Sequence, residues 1–166
     1  RIRSRKLLKL NDTDVLAVCS TGGSAAWQKD SEIIDYLQTK GIRILNLSKT
    51  IISKPGIINR FVSFREMPAM LSAADFAILW RDNNPVNSVA SPSKFSEFCA
   101  NGLPVLHNKS ISLVTDYIKD TGAGQLVDSM EEFNLSEIKE LMNEDSRKQM
   151  SERGLHSFGV KNIAKS

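Results

Sequence analysis

The stretch Ser91-Pro92-Ser93-Lys94-Phe95-Ser96-Glu97-Phe98-Cys99-Ala100-Asn101-Gly102-Leu103-Pro104-Val105 places a lysine and a glutamate one helical turn apart, just after a serine and a proline. Serine followed by proline is a strong helix start. Gly102 can end that helix, and Pro104 prevents its continuation into what reads as a strand. The unpaired amides at a helix start attract anions. Pro92 has no amide, so Ser93 and Lys94 would donate in its place. Lys94 could add charge against a diphosphate. Glu97 would repel phosphate, but its carboxylate is suited to accept hydrogen bonds from a pair of sugar hydroxyls. A simpler reading stands beside this one: Lys94 and Glu97 form an exposed i,i+3 pair worth about 0.2–0.5 kcal/mol.

A second candidate is Ser20-Thr21-Gly22-Gly23-Ser24-Ala25-Ala26-Trp27-Gln28-Lys29. Adjacent glycines let backbone amides approach a phosphate closely. The loop lacks the Gly-Lys-Ser/Thr of a P-loop and the Gly-x-Gly-x-x-Gly of a dinucleotide site. A tight turn without a ligand fits it equally well, and Trp27 fits packing better than stacking. Arg81 directly follows an apolar run and should emerge at that run's carboxyl end. Its guanidinium could clamp phosphate, or pair with Asp82, or be solvated. Lys29 is either a phosphate contact or a first-turn surface lysine.

Other chemistries find little support. His107 and His156 have no metal-ligand spacing, and Cys19 and Cys99 form neither a zinc pattern nor a disulfide framework. His107 ends a strand and suits a satisfied buried histidine. No serine nucleophile elbow and no close carboxylate pair appear. Asn11-Asp12-Thr13-Asp14 reads as a turn.

These residues need elements to hold them. Val15–Cys19, Ile42–Leu47, Arg60–Phe64, Phe76–Trp80, Val105–His107 and Gly124–Val127 read as strands. Ser31–Lys40, Met67–Ala74, the Ser91 segment, Ser112–Lys119 and Leu135–Met150 read as helices. On the Ser91 helix, Phe95, Phe98 and Cys99 share one side and should face the core, with Lys94, Glu97 and Asn101 on another stripe. Continuous apolar strands alternating with helices predict a mainly parallel sheet covered on both sides. In such a sheet ligands bind beyond the carboxyl ends of the strands, where Ser20–Lys29, Arg81–Ser91 and the turn after His107 all fall.

The 166 residues, 41% of them apolar, suffice for one domain with a real core. The net charge of +3 misleads, because five basic residues lie in the first nine and the rest carries 17 basic against 19 acidic side chains. That excludes a nucleic-acid footprint. The basic opening could touch an anionic surface; a solvated helix end or a severed linker is the simpler reading. No apolar run is long enough to span a bilayer, and cytoplasmic residence is expected.

Three pieces, Val15-Leu16-Ala17-Val18-Cys19-Ser20-Thr21-Gly22-Gly23, Met70-Leu71-Ser72-Ala73-Ala74-Asp75-Phe76-Ala77-Ile78-Leu79 and Ser91 to Val105, occur in an order and spacing that resembles the carboxyl-terminal, donor-binding domain of retaining GT-B glycosyltransferases of group 1, or family 4. The resemblance spans roughly Asp14 to Gly159. It implies a Rossmann-like three-layer α/β sandwich, residues 1–166 forming one donor-binding domain of a two-domain enzyme. It implies a UDP- or GDP-linked sugar as donor substrate, no cofactor and no metal. The missing partner would be an amino-terminal, acceptor-binding domain, with possible peripheral membrane contact, at the inner membrane face, through the full-length protein. The full-length protein would then be a transferase, with this chain alone inactive. A nucleotide-sugar epimerase domain and a non-catalytic interaction domain of the same fold are the alternatives. By resemblance the donor-binding residues are Gly22, Gly23, Ser24, Lys29, Arg81, Ser91, Ser93, Lys94 and Glu97, with Glu97 on the ribose hydroxyls and Ser93 on the diphosphate. Two departures stand out. Val89 occupies the place of a glutamate that touches the transferred sugar, and Ser24 that of an arginine.

Overall fold

Six parallel strands form one sheet in the order β3-β2-β1-β4-β5-β6. The computed structural model describes residues 1–19, 30–90 and 93–159. The strands are β1 Leu16–Cys19, β2 Arg43–Asn46, β3 Ile57–Asn59, β4 Phe76–Leu79, β5 Val105–His107 and β6 Gly124–Leu126. The helices are α1 Ile2–Leu7, α2 Asp30–Thr39, α3 Met67–Ala73, α4 Pro85–Ser88, α5 Ser93–Ala100, α6 Ser112–Thr121, α7 Leu135–Glu140 and α8 Glu144–Phe158.

Side chains alternate across a strand, and here both sets are buried. Leu16 and Val18 of β1, Ala77 and Leu79 of β4, and Val105 of β5 meet one core with Leu8, just after α1, and with α3, α5 and α6. Ala17 and Cys19, Phe76 and Ile78, and Leu106 meet the other with α2 and α7. That double burial explains why β1 and β4 read as unbroken apolar runs, and it makes the domain the expected three-layer Rossmann-like sandwich. Phe95, Phe98 and Cys99 of α5 are all buried, as the helical period predicts. Among the described residues no helix is long and apolar enough to cross a membrane.

Three expectations need correction. The strand expected at Arg60–Phe64 lies earlier, at Ile57–Asn59. Ile57 and Ile58 take the places beside Ile44 and Leu45 of β2, and the Asn59 side chain ties back to Ile52 through both its oxygen and its nitrogen. Phe61 and Phe64 are consequently exposed. The single helix expected over Leu135–Met150 is two, because Asn143 caps a new start by accepting from the Ser146 amide. The basic opening keeps Arg3, Lys6 and Lys9 exposed, as a solvated end would have them, but Arg5 is not solvated. Helix α1 docks on α3 and buries Arg5 against Asp75 at the amino end of β4.

Gly102 closes α5. Its φ of +62° is left-handed, and a Cβ there would overlap the carbonyl of Arg147 in α8.

Candidate functional site

The sheet reverses its winding between β1 and β4: β2 and β3 extend to one side, β5 and β6 to the other. In sheets of this kind ligands bind beyond the carboxyl ends of the strands at such a switch point. The chain leaving β1 continues into residues 20–29, and the chain leaving β4 runs through Arg81 and α4 toward α5. Gly22, Gly23, Ser24, Trp27, Lys29 and Ser91 lie outside the described residues. Arg81, Ser93, Lys94 and Glu97 are described, and all four follow β4.

Arg81 is half-buried two residues beyond β4. With Asn84, Val86, Asn87 and Ala90 it lines an open cavity of about 330 Å³. Asn84 and Pro85 start α4, whose Val86 and Asn87 line the cavity. Asn84 accepts from the Asn87 amide at 2.8 Å, and Pro85 occupies the first helical position of α4. The Asn87 side chain then donates to the Asp82 carbonyl at 2.8 Å, folding the loop onto itself. Val89 does not line this cavity and is 84% exposed.

Helix α5 presents the divided surface expected of it. Ser93 is exposed at its start. Lys94 Nζ lies 3.0 Å and 3.2 Å from the two Glu97 oxygens, so the simpler i,i+3 pairing is present. The Glu97 side chain is 22% exposed and that of Lys94 32%. Glu97 also borders a recess of about 190 Å³ between α5 and α8, lined by Ser96, Ala100, Gly154, Leu155 and Phe158. The carboxylate is therefore neither sealed in the core nor fully solvated.

His107 ends β5 fully buried. Its Nδ1 donates to the Leu79 carbonyl at 2.7 Å, and Nε2 accepts from the Ile111 amide at 3.2 Å. Desolvation, with the positive charge of Arg81 acting in the same sense, holds its pKa below the ordinary histidine value. The ring is a neutral structural group, as its sequence position suggests. Among the described residues no group of three or more His, Cys, Asp or Glu side chains converges on a metal position.

Sequence reasoning missed Asn84, Asn87 and Asn108. The Asn84-Pro85 pair was a legible helix start. Asn108 carried no local signal, since its partner Arg81 lies 27 residues earlier.

No protein-family model and no curated protein sequence matches the chain. Solved structures do. The chain is similar to WaaG, a glycosyltransferase involved in lipopolysaccharide biosynthesis, with 16% identity and a TM-score of 0.61 over 96% of this chain and 46% of that one. It is similar to the spinosyn forosaminyltransferase SpnP, with 15% identity and a TM-score of 0.55 over 96% and 45%. It is also similar to the glycosyltransferase SnogD from Streptomyces nogalater, with 10% identity and a TM-score of 0.55 over 94% and 44%. The chain has a GT-B-like fold. It spans a little under half the length of each of these proteins.

Proposed function

We propose that this domain is the donor-binding half of a retaining glycosyltransferase of group 1, holding a nucleotide-diphospho-sugar for transfer to a hydroxyl acceptor. The observation that carries the reading is the placement of Arg81, Lys94 and Glu97 along one continuous segment leaving β4 at the switch point of the sheet. Three structures of the same fold are those of proteins described as sugar transferases.

On this reading the diphosphate lies between the Gly22-Gly23 loop and the first amides of α5, which Ser93 and Lys94 supply. Arg81 and Lys94 are cations within reach of the leaving group. Positive charge and oriented amides stabilise the diphosphate as the sugar departs, which is electrostatic catalysis. Glu97 accepts from the ribose hydroxyls. To do so it shares or gives up its pairing with Lys94, which frees that ammonium for the phosphates. The acceptor-side groups belong to a second, amino-terminal domain. This chain alone therefore binds nucleotide and transfers little or nothing.

Titration with UDP, GDP and their sugar conjugates, followed by NMR, tests the reading. Site-specific shifts at Gly22, Gly23 and Glu97 are expected. If neither nucleotide moves those signals, the donor-site assignment fails. Product analysis of the full-length protein with and without acceptor then separates transfer from epimerisation.

Val89 gives the non-catalytic alternative its specific support. A solvent-facing valine stands where the resemblance places a carboxylate on the transferred sugar. Nucleotide binding without turnover in the full-length protein would favour that alternative.

A further inference from the structure

The turn between β5 and α6 takes no part in the donor site described so far, yet its side chains converge on the backbone that presents Arg81. The β4–β5 ladder ends where Leu79 lies opposite His107. One residue further on, the Asn108 carboxamide takes over the role of a neighbouring strand. Its Nδ2 donates to the Arg81 carbonyl at 2.6 Å, and its Oδ1 accepts from the Arg81 amide at 3.3 Å. Behind it, Ser110 is buried and its hydroxyl donates to Asn108 Oδ1 at 2.8 Å. The buried His107 ring bonds the Leu79 carbonyl on one side and the Ile111 amide on the other. Lys109, between Asn108 and Ser110, has a left-handed φ of +59°, and its ammonium lies 2.6 Å from Asp128. A lysine in that conformation is uncommon and persists where its surroundings over-determine it.

These bonds do for β4 what a longer β5 would do. The exit of β4 is held to a side chain, so the strand can stop and turn into the cavity wall while Arg81 keeps a defined backbone position. We propose that His107 and Asn108 are positioning residues, forming a latch that fixes Arg81 at the 330 Å³ cavity so that its guanidinium meets an anionic group of the ligand. The proposal rests on the donor-site reading for the identity of that ligand, and the latch itself is a property of this chain's own β5–α6 turn.

The test uses the 166-residue chain with UDP and GDP as probes. Arg81→Ala is expected to weaken nucleotide binding by roughly tenfold or more, the scale of one lost hydrogen bond to a charged group. Asn108→Ala, which touches no ligand, is expected to weaken it by roughly threefold to tenfold and to speed hydrogen exchange at the Arg81 amide. The double variant should bind no more weakly than Arg81→Ala alone, because both changes act through one guanidinium. Ser110→Ala removes only the hydroxyl behind Asn108 and is the milder second variant, expected to shift affinity and exchange in the same direction. Binding that Arg81→Ala weakens and neither Asn108→Ala nor Ser110→Ala weakens overturns the latch and leaves the donor site standing. Additive losses in the double variant also overturn it. A wild-type chain that binds neither nucleotide overturns both readings together.

Discussion

Arg5 Nη1 lies 3.2 Å from Asp75 Oδ2, and both side chains are buried, at 9% and 1% exposure. The same guanidinium donates to the carbonyls of Ala73, Asn11 and Asp14 at 3.1, 2.9 and 2.7 Å. The same carboxylate accepts from the Leu16 amide at 2.7 Å and from Arg1. One ion pair thus joins α1, the turn before β1, and the amino ends of β1 and β4. Replacing Arg5 by leucine leaves Asp75 only Arg1 and the Leu16 amide and unpairs the carbonyls of Ala73, Asn11 and Asp14, which is expected to cost about 3 kcal/mol. Lys6→Ala, on the exposed side of the same helix, should stay within about 0.5 kcal/mol of wild type. Urea unfolding of the two variants checks the contrast, and equal effects would show that the pair does not hold α1 in place.

Lys94 and Glu97 contribute little to stability. Their groups are partly exposed and a single turn apart, so Glu97→Gln should change the unfolding free energy by about 0.2–0.5 kcal/mol. Under the proposed function the same substitution lowers nucleotide affinity by roughly tenfold, since the better acceptor for two hydroxyls is gone. Parallel unfolding and calorimetric titration separate the two effects. A large stability loss with no change in affinity would assign Glu97 to structure.

His107 makes stability depend on pH with a defined sign. Burial lowers its folded pKa, Arg81 lowers it further, and the bonds to Leu79 and Ile111 only partly oppose them. The unfolded chain therefore takes up the proton first as pH falls below about 6.5. The stability carried by the neutral ring is complete above that value and is lost as pH drops toward the lower folded pKa. The slope is at most about 1.4 kcal/mol per pH unit for one proton. His107→Gln should flatten the stability profile between pH 7 and 5. An unchanged slope would mean that other groups govern acid unfolding.

Helix α8 crosses α5 at Gly154, where an added Cβ would come 2.6 Å from the Cys99 carbonyl carbon and 2.7 Å from its Cβ. Alanine favours helix over glycine by about 1 kcal/mol, but forcing two packed helices apart costs about 1–3 kcal/mol. The backbone contact should win, so Gly154→Ala is expected to lower the thermal midpoint. A midpoint raised by the substitution would show that α8 can shift at no cost.

The two cysteines should be inert in the native state. Cys19 and Cys99 are both buried, and desolvation pushes the Cys99 thiol up to about 12. A thiol reagent at pH 8 meets almost no thiolate there. Labelling is expected only under denaturing conditions, and rapid labelling of the folded chain would contradict the close packing of α5.

The runs around β1, β4 and β5 and the spacing of Phe95, Phe98 and Cys99 determined the layered parallel sheet before any coordinates, because burying an element demands a local pattern that burial itself selects. The same reasoning saw the Lys94–Glu97 pairing, since three residues along a helix are neighbours by geometry alone. Tertiary structure decided what depended on distant partners. β3 begins at Ile57 rather than Arg60 because β2 offers its ladder there, and the apolar Phe61 and Phe64 gave a false local signal. Arg5 is buried rather than solvated because Asp75, 70 residues away, accepts it. Asn108 became part of the Arg81 segment only when β5 lay beside β4. A side chain's charge or hydrogen-bonding capacity is written in the sequence, but the group that satisfies it is chosen by which strands come together.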